Sequence, residues 1–197
     1  VNWDASDYGF PCQNVTGMIE VSPLPQLLDH LKTMAQGERV GYLAADVLTA
    51  KKEGANYKKV FGIDAREVYA ADFSEWKTGF KELQNSVDML IVGNNAGIND
   101  WDEEGAKSFA EANTKVPTGA IYDFLAPYAF VVYGKVAQEQ GFWAGQTALA
   151  ILDGKTPDSI PLAKNKEGKL ILNFRVAKNF GDEIPYELIE AASRIIE

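Results

Sequence analysis

A short apolar run at 87–92, V-D-M-L-I-V, is followed at once by Gly93, Asn94 and Asn95, and this stretch constrains the fold most. An apolar run of this length, interrupted by one aspartate, is typical of a strand that is buried on both faces of a sheet. Asp102 then provides the N-cap of a helix that begins with two glutamates. Loops at the carboxyl ends of strands bind ligands in open α/β sheets, although the same residues also satisfy an ordinary turn.

Strand-like and helix-like segments alternate through most of the chain. Strands separated by helices predict βαβ units, a parallel sheet and right-handed crossovers. The predicted fold class is therefore α/β, with a Rossmann-like parallel sheet flanked by helices. The predicted strands are 40–44, 67–71, 87–92, 118–122, 129–133 and 169–174, and the predicted helices are 23–34, 49–61, 73–83, 103–112, 136–152 and 186–196.

Composition excludes several classes of partner and site. The chain of 197 residues can form one large domain or two small ones. Its net charge of −9 argues against a nucleic-acid partner. No apolar run approaches the about 20 residues of a membrane span. The single Cys12 excludes an internal disulfide and a cysteine-rich metal site.

The sequence contains no recognised catalytic motif. It has neither a G-x-S-x-G elbow nor a phosphate-binding loop, and its one histidine, His30, lies off the apolar face of a predicted helix. Asp100, Asp102 and Glu103 form an acidic cluster that could hold a divalent cation, but the ligand spacing of a calcium loop is missing. We therefore expect no catalytic residue, no metal site and no cofactor.

Polar and aromatic residues follow several predicted strands. Carboxylates bind ammonium groups, amides bind carboxylates or amides, and aromatic faces pack against apolar or cationic groups. Such a set is suited to holding a small polar ligand without transforming it. The candidate ligand-binding residues are Trp3, Asp4, Asp46, Asn94, Asn95, Asp123, Phe124 and Tyr128.

Several motifs, taken in their order along the chain, carry a family resemblance. They are N-V-T-G at 14–17, V-D-M-L-I-V-G-N-N at 87–95, P-T-G-A at 117–120, I-L-D-G-K-T-P-D-S-I-P at 151–161 and L-I-L-N at 170–173. With them the chain resembles the substrate-binding proteins of ABC transporters, in the group that includes tryptophan and tyrosine binders. The resemblance implies the type I periplasmic-binding fold.

The resemblance also implies a division of the chain into lobes that close on a ligand. Residues 1–36 would be a remnant of the first lobe and a crossing, and 37–134 would be the second, Rossmann-like lobe. Residues 135–168 would return to the first lobe, and 169–197 would add a crossing strand and a C-terminal helix to the second. Most of the first lobe is expected to be missing, so that residues 1–22 and 136–152 expose apolar surface and favour a homodimer.

The function that the resemblance implies is solute binding without catalysis. We expect an extracytoplasmic or periplasmic binding protein, or the same module as a receptor's sensor domain, that holds a small polar or amino-acid-like ligand between two lobes. Its partner would be a membrane permease or a fused signalling domain. Asp4 or Asp123 would bind a positive group and Asn94 and Asn95 an anionic or amide group. Trp3, Phe124 or Tyr128 would contact the body of the ligand.

Two other classes of function share this type of fold. One is a metal-assisted enzyme of flavodoxin-like fold that uses the acidic cluster at 100–104. The other is the effector-binding core of a transcription regulator. A divalent ion bound near Asp100 and Asp102 would favour the first, and a DNA-binding head on the full-length protein would favour the second.

Overall fold

A computed structural model describes residues 9–10, 12–179 and 184–197. The chain forms two compact units. Unit 1 combines Val1–Ser22 with Lys135–Gly168, and unit 2 combines Pro23–Gly134 with Lys169–Glu197. The first boundary between the units follows Ser22, and the helix that starts at Leu24 packs within unit 2. The division into lobes at residue 36 stays a prediction.

The secondary structure alternates as the sequence pattern predicts. In chain order the elements are β1 (Met18–Ile19), α1 (Leu24–Lys32), β2 (Val40–Ala45), α2 (Leu48–Phe61), β3 (Arg66–Ala70), α3 (Phe73–Leu83), β4 (Met89–Val92), α4 (Glu103–Asn113), β5 (Thr118–Ala120), β6 (Val131–Lys135), α5 (Ala137–Leu152), β7 (Ala163–Lys164), β8 (Gly168–Asn173), α6 (Phe174–Ala177), α7 (Tyr186–Ala191) and β9 (Arg194–Ile196). Short 3-10 helices lie at Asp123–Leu125 and Pro157–Ser159.

The main sheet has seven strands in the order β3-β2-β4-β5-β6-β8-β9. The neighbouring strands from β3 to β6 all pair in parallel, and β8 pairs in parallel with β9. This arrangement confirms the predicted α/β class with a parallel sheet flanked by helices. Because the strands from β3 to β6 run in the same direction, their carboxyl ends lie along one edge of the sheet.

The last four residues of the apolar run at 87–92 form a central strand, β4. All four residues of β4 are buried, and β4 lies between β2 and β5 with Leu43 opposite Val92 and Leu90 opposite Thr118. A strand with neighbours on both sides and helices over the sheet has no exposed face, which explains why its sequence is continuously apolar.

The C-terminal segment differs from the sequence prediction. A helix was predicted over 186–196, but α7 ends at Ala191 and the last residues form β9 beside β8. The backbone N–H of Ser193 donates to the carbonyl of Leu170 at 2.9 Å, and the Ser193 hydroxyl donates to the same oxygen at 2.6 Å. Pairing with β8 therefore overrides the helical spacing of the apolar residues in this segment.

Unit 1 is small and is built around a long helix. β1 pairs in parallel with β7, and the side chain of Asn165 bonds both the N–H and the carbonyl of Val21, at 2.6 and 3.2 Å. No residue of α5 is buried, and Phe142 and Leu152 are 70% and 82% exposed. The expected homodimer through this unit stays a prediction. Among the described residues, no helix has the length and hydropathy of a membrane span.

Candidate functional site

Five of the candidate residues lie at one edge of the unit 2 sheet. Asp46 follows β2, Asn94 and Asn95 follow β4, and Asp123 and Phe124 follow β5. These three strands are neighbours and parallel, so the loops at their carboxyl ends lie side by side. We call the set Asp46, Asn94, Asn95, Asp123 and Phe124 the carboxyl edge.

The loop after β4 is held by its own backbone and by β2. The N–H of Ala45 donates to the backbone carbonyl of Asn94 at 3.0 Å. The side-chain oxygen of Asn94 accepts from the N–H of Ala96 at 2.8 Å, which closes a local turn. The Asn95 side chain is half-buried and has no hydrogen bond within the part of the chain that the structure describes. Of the two amides, Asn95 therefore has the greater capacity to bind a ligand.

The two carboxylates of the carboxyl edge each have a lysine neighbour. Asp46 is exposed and forms an ion pair with Lys51 of α2. One carboxylate oxygen of Asp123 lies 3.8 Å from the Lys169 Nζ, and the other lies against Gly134 of β6. Both ion pairs are partly open to solvent, where such pairs contribute little to stability, so a ligand cation can compete with the lysines.

Phe124 presents an aromatic face at the carboxyl edge. Its side chain is 56% exposed, an unusual degree for a phenylalanine. Its ring stacks on that of Tyr122, with centroids 5.5 Å apart and planes inclined by 24°. This pair offers a supported apolar surface beside Asp123.

Of the three other candidate residues, the structure describes only Tyr128. Tyr128 is only 5% exposed, and its ring packs edge-on against Trp101 at 5.3 Å and near Trp76 at 6.4 Å. Burial also raises the pKa of its hydroxyl. Tyr128 thus belongs to an aromatic cluster in unit 2 and offers little surface to a ligand. Trp3 and Asp4 lie outside the described residues.

A buried carboxylate in unit 2 was not predicted from the sequence. Glu53 of α2 is only 8% exposed, and its two oxygens accept hydrogen bonds from the hydroxyls of Tyr42 and Tyr122, both at 3.0 Å. Burial and, after it, the charge of Glu53 raise the pKa of Tyr42 and of Tyr57 well above the usual range of phenols. The feature of the sequence that could have revealed Glu53 is its position on the buried face of α2, next to Gly54 and one turn before Tyr57.

The acidic cluster after β4 has a structural role at the start of α4. The Asp102 side chain accepts from the N–H of Gly105 at 3.0 Å, which is the predicted N-cap. Asp100 has a positive φ of 53° in the turn before it. Over residues 9–10, 12–179 and 184–197, no three histidine, cysteine or acidic side chains are grouped as a metal site. The cluster therefore gives no support to metal-assisted chemistry.

Unit 1 contains a cavity of about 620 Å³. Its lining includes Met18, Phe142, Trp143 and Lys166 and, among the residues that the structure describes, none of the candidate ligand residues. The side chain of Glu139, also in the lining, accepts from the backbone N–H groups of Lys166 and Glu167, which satisfies its charge locally. The cavity is therefore a separate feature from the carboxyl edge.

Comparison with protein families identifies the chain. The family model for the ABC transporter substrate binding protein matches residues 5–196, which is nearly the whole sequence. The chain belongs to this family. The resemblance inferred from the sequence motifs is thereby confirmed. No curated protein sequence matches the chain.

Three solved structures are similar to this ABC transporter substrate binding protein. A ligand-free, open substrate-binding protein with adhesive properties from Clostridium difficile has a TM-score of 0.71 and 20% identity, over 98% of this chain and 68% of that one. An ABC domain in complex with L-Trp from Streptococcus pneumonia has a TM-score of 0.57 and 19% identity, over 93% and 65%. A conserved domain protein from Vibrio cholerae has a TM-score of 0.58 and 18% identity, over 92% and 63%.

These likenesses show the fold of the substrate binding protein. At 18–20% identity they do not carry ligand contacts from one protein to another. The chain spans 63–68% of the length of the three solved structures. The ligand, the partners and the activity of the whole protein are therefore matters for proposal.

Proposed function

We propose that this chain is the solute-binding part of an ABC transporter and that unit 2 holds a small polar or amino-acid-like ligand at its carboxyl edge. The observation that carries the proposal is that three kinds of side chain lie on the loops after two neighbouring strands. Asn95 contributes an amide, Asp123 a carboxylate and Phe124 an exposed ring. Family membership supports binding as the role of this set.

Each group has a part that follows from its chemistry. The Asp123 carboxylate binds the ammonium group of the ligand, and the Asn95 amide donates to a carboxylate or amide oxygen. The Phe124 face packs against an apolar or aromatic side chain. Asp46 and Asn94 frame the edge, and Asp46 adds a second negative charge. An amino acid carries all three complementary groups, and the L-Trp complex of the similar domain makes L-tryptophan the first ligand to test.

The proposal does not include bond making or breaking. Asp4 and Trp3 remain proposed as further ligand contacts. The permease of the transporter is the proposed partner, and the same module could equally serve as the sensor domain of a signalling receptor. We propose an extracytoplasmic location, in keeping with the family.

Thermal unfolding with a ligand panel tests the binding role. A ligand that binds only the folded state raises its stability by about 2.7 kcal/mol when present at 100 times its Kd. The melting temperature should rise with L-tryptophan or another of the twenty standard amino acids, and calorimetric titration should then give the Kd. If the panel and a set of related metabolites leave the melting temperature unchanged, the proposed function is wrong.

Matched variants locate the site. Asn95→Ala and Asp123→Asn should weaken binding by about fivefold to 150-fold, because each removes a hydrogen bond or charge pair worth roughly 1–3 kcal/mol. Asn85→Ala is the control for the amide, since Asn85 precedes β4 at the opposite end of that strand and is exposed. Asp64→Asn is the control for the carboxylate, since Asp64 is an exposed aspartate paired with Lys58 before β3. Equal losses in control and site variants would contradict a site at the carboxyl edge.

A further inference from the structure

Glu53 is a carboxylate that unit 2 buries in a tyrosine-rich setting. The buried residues of α2 are Ala50, Glu53, Gly54 and Tyr57, so the helix turns an ionisable side chain toward the sheet. Burying a carboxylate is costly unless hydrogen bonds satisfy its oxygens. Here Tyr42 donates to Oε2 and Tyr122 donates to Oε1, each at 3.0 Å. Hydrogen bonds to an ionised acceptor are stronger than those between neutral groups.

The two tyrosines connect Glu53 to different parts of the molecule. Tyr42 lies on β2 and is fully buried, and its ring meets that of Tyr57 edge-on at 5.2 Å. Tyr122 lies two residues after the end of β5 and is half-buried. Its ring stacks on Phe124, which is 56% exposed. The Tyr42 hydroxyl therefore connects Glu53 to the buried core. The Tyr122 hydroxyl connects Glu53 to the ring that supports the exposed face of Phe124.

We propose that Glu53 is a positioning residue for the ligand site. It fixes the Tyr122 ring through the Tyr122 hydroxyl, and the fixed ring sets the orientation of Phe124 toward the apolar or aromatic part of a ligand. This arrangement restricts the rotation of the Phe124 side chain before the ligand binds. Because less ordering of the side chain is then needed on binding, the affinity for the ligand is higher. The expected effect of Glu53 on ligand affinity rests on the proposed function. Its expected effect on the orientation of the Phe124 ring does not.

The first test compares two variants that each remove one hydroxyl from the same carboxylate. Tyr122→Phe and Tyr42→Phe should both lower the melting temperature. Only Tyr122→Phe should weaken the binding of L-tryptophan, by about threefold to tenfold, which is the range expected for one aromatic contact. If both variants weaken binding equally, or neither does while the wild-type chain binds, Glu53 is not a positioning residue.

A double-mutant cycle shows whether the effect passes through Phe124. Phe124→Ala removes the ring that Tyr122 supports, so Tyr122→Phe should not weaken L-tryptophan binding further in that background. A general structural role for Tyr122 would predict additive losses instead. Additivity would overturn the proposal.

A second readout needs no ligand. With 4-fluorophenylalanine in place of Phe124, the ¹⁹F resonance reports the ring stacked on Tyr122. Tyr122→Phe and Glu53→Gln should both shift the resonance toward its value in the unfolded chain, and Tyr42→Phe should leave it in place. If Glu53→Gln does not fold, the comparison of Tyr122→Phe with Tyr42→Phe still tests the positioning role. An unmoved resonance in Tyr122→Phe overturns the positioning role, whereas an unresponsive ligand panel with a shifted resonance overturns only the proposed function.

Discussion

Gly93 lies directly against the ring of Tyr42. A β-carbon on Gly93 would fall 2.6 Å from Cε2 of that ring and 2.8 Å from the β-carbon of Ala44. The N–H of Gly93 also donates to the carbonyl of Leu43 at 2.7 Å, so the backbone cannot move away without losing a bond. The absence of a side chain at Gly93 therefore brings the loop with Asn94 and Asn95 close to β2.

Gly93→Ala should destabilise the protein and weaken ligand binding together. The added methyl group meets buried atoms, and overpacking of this kind costs about 1–3 kcal/mol of the free energy of unfolding. The same movement shifts Asn95, so the affinity for L-tryptophan should fall as well. Denaturant unfolding and calorimetric titration measure the two effects.

Gly145→Ala is the matched control for this substitution. Gly145 lies in the interior of α5, and a β-carbon there would have no neighbour within 4 Å. Alanine is a better helix former than glycine by about 1 kcal/mol, so this variant should be as stable as the wild type or more so. A Gly93→Ala protein with wild-type stability would show that the loop and Tyr42 are not in close contact.

The ion pair of Asp88 with Arg39 should make stability depend on pH in the acid range. The Arg39 side chain donates to both carboxylate oxygens, at 2.9 and 2.8 Å, and its backbone N–H donates at 2.8 Å. These hydrogen bonds lower the pKa of Asp88 from 3.8 to about 2. Since the folded pKa lies below the unfolded one, the stabilisation is present above pH 4 and is lost as the pH falls toward 2.

Two variants separate the contributions of the Asp88 carboxylate and the Arg39 side chain to this pH dependence of stability. Asp88→Asn should flatten the fall in the free energy of unfolding between about pH 4 and pH 2. Arg39→Met removes the guanidinium and keeps the backbone donor, so it should flatten the same region only in part. Urea unfolding at a series of pH values gives the slopes. A slope in Asp88→Asn equal to that of the wild type would assign the acid sensitivity to other groups.

The buried tyrosines near Glu53 should resist ionisation at alkaline pH. Burial and the charge of Glu53 raise the pKa of Tyr42 and Tyr57 above 10.0 in the folded state. The folded state therefore keeps their protons, and stability falls as the pH rises above the ordinary pKa of phenols, about 10. Absorbance at 295 nm should show a late step that coincides with the loss of circular dichroism. Tyr42→Phe should reduce that step by one tyrosine, and a single step that precedes unfolding would contradict the burial of both hydroxyls.

Features that depend on local sequence were predictable. The apolar run at 87–92, interrupted only by Asp88, indicated a strand with no exposed face, and β4 is such a strand. The position of Asp102 before two glutamates indicated a helix N-cap, and the Asp102 side chain accepts from the Gly105 N–H at 3.0 Å. The alternation of strands and helices predicted a parallel sheet with Asn95 and Asp123 on loops after its strands, and the structure shows that these two strands are neighbours.

Features that depend on distant residues were not predictable from the local pattern. The segment at 186–196 has apolar residues at helical spacing, but its last residues pair with β8, and Ser193 bonds to Leu170, which lies 23 positions away. Tyr128 follows the same loop as Phe124, yet contact with Trp101 places it in the core. The role of Glu53 depends on a tyrosine 69 positions away, so no periodicity in α2 could reveal it.

Gly134→Ala should displace the Asp123 carboxylate without changing its charge. One Asp123 oxygen rests against Gly134 on β6, and a β-carbon at that position would overlap it. The affinity for L-tryptophan should therefore fall about as far as in Asp123→Asn, with a loss of stability. Adding Asp123→Ala to Gly134→Ala removes the overlap, so the double variant should regain stability but not affinity. Calorimetric titration and thermal melts measure both quantities. Wild-type affinity in Gly134→Ala would mean that the position of the Asp123 carboxylate does not matter to the ligand, because nothing but that position has changed.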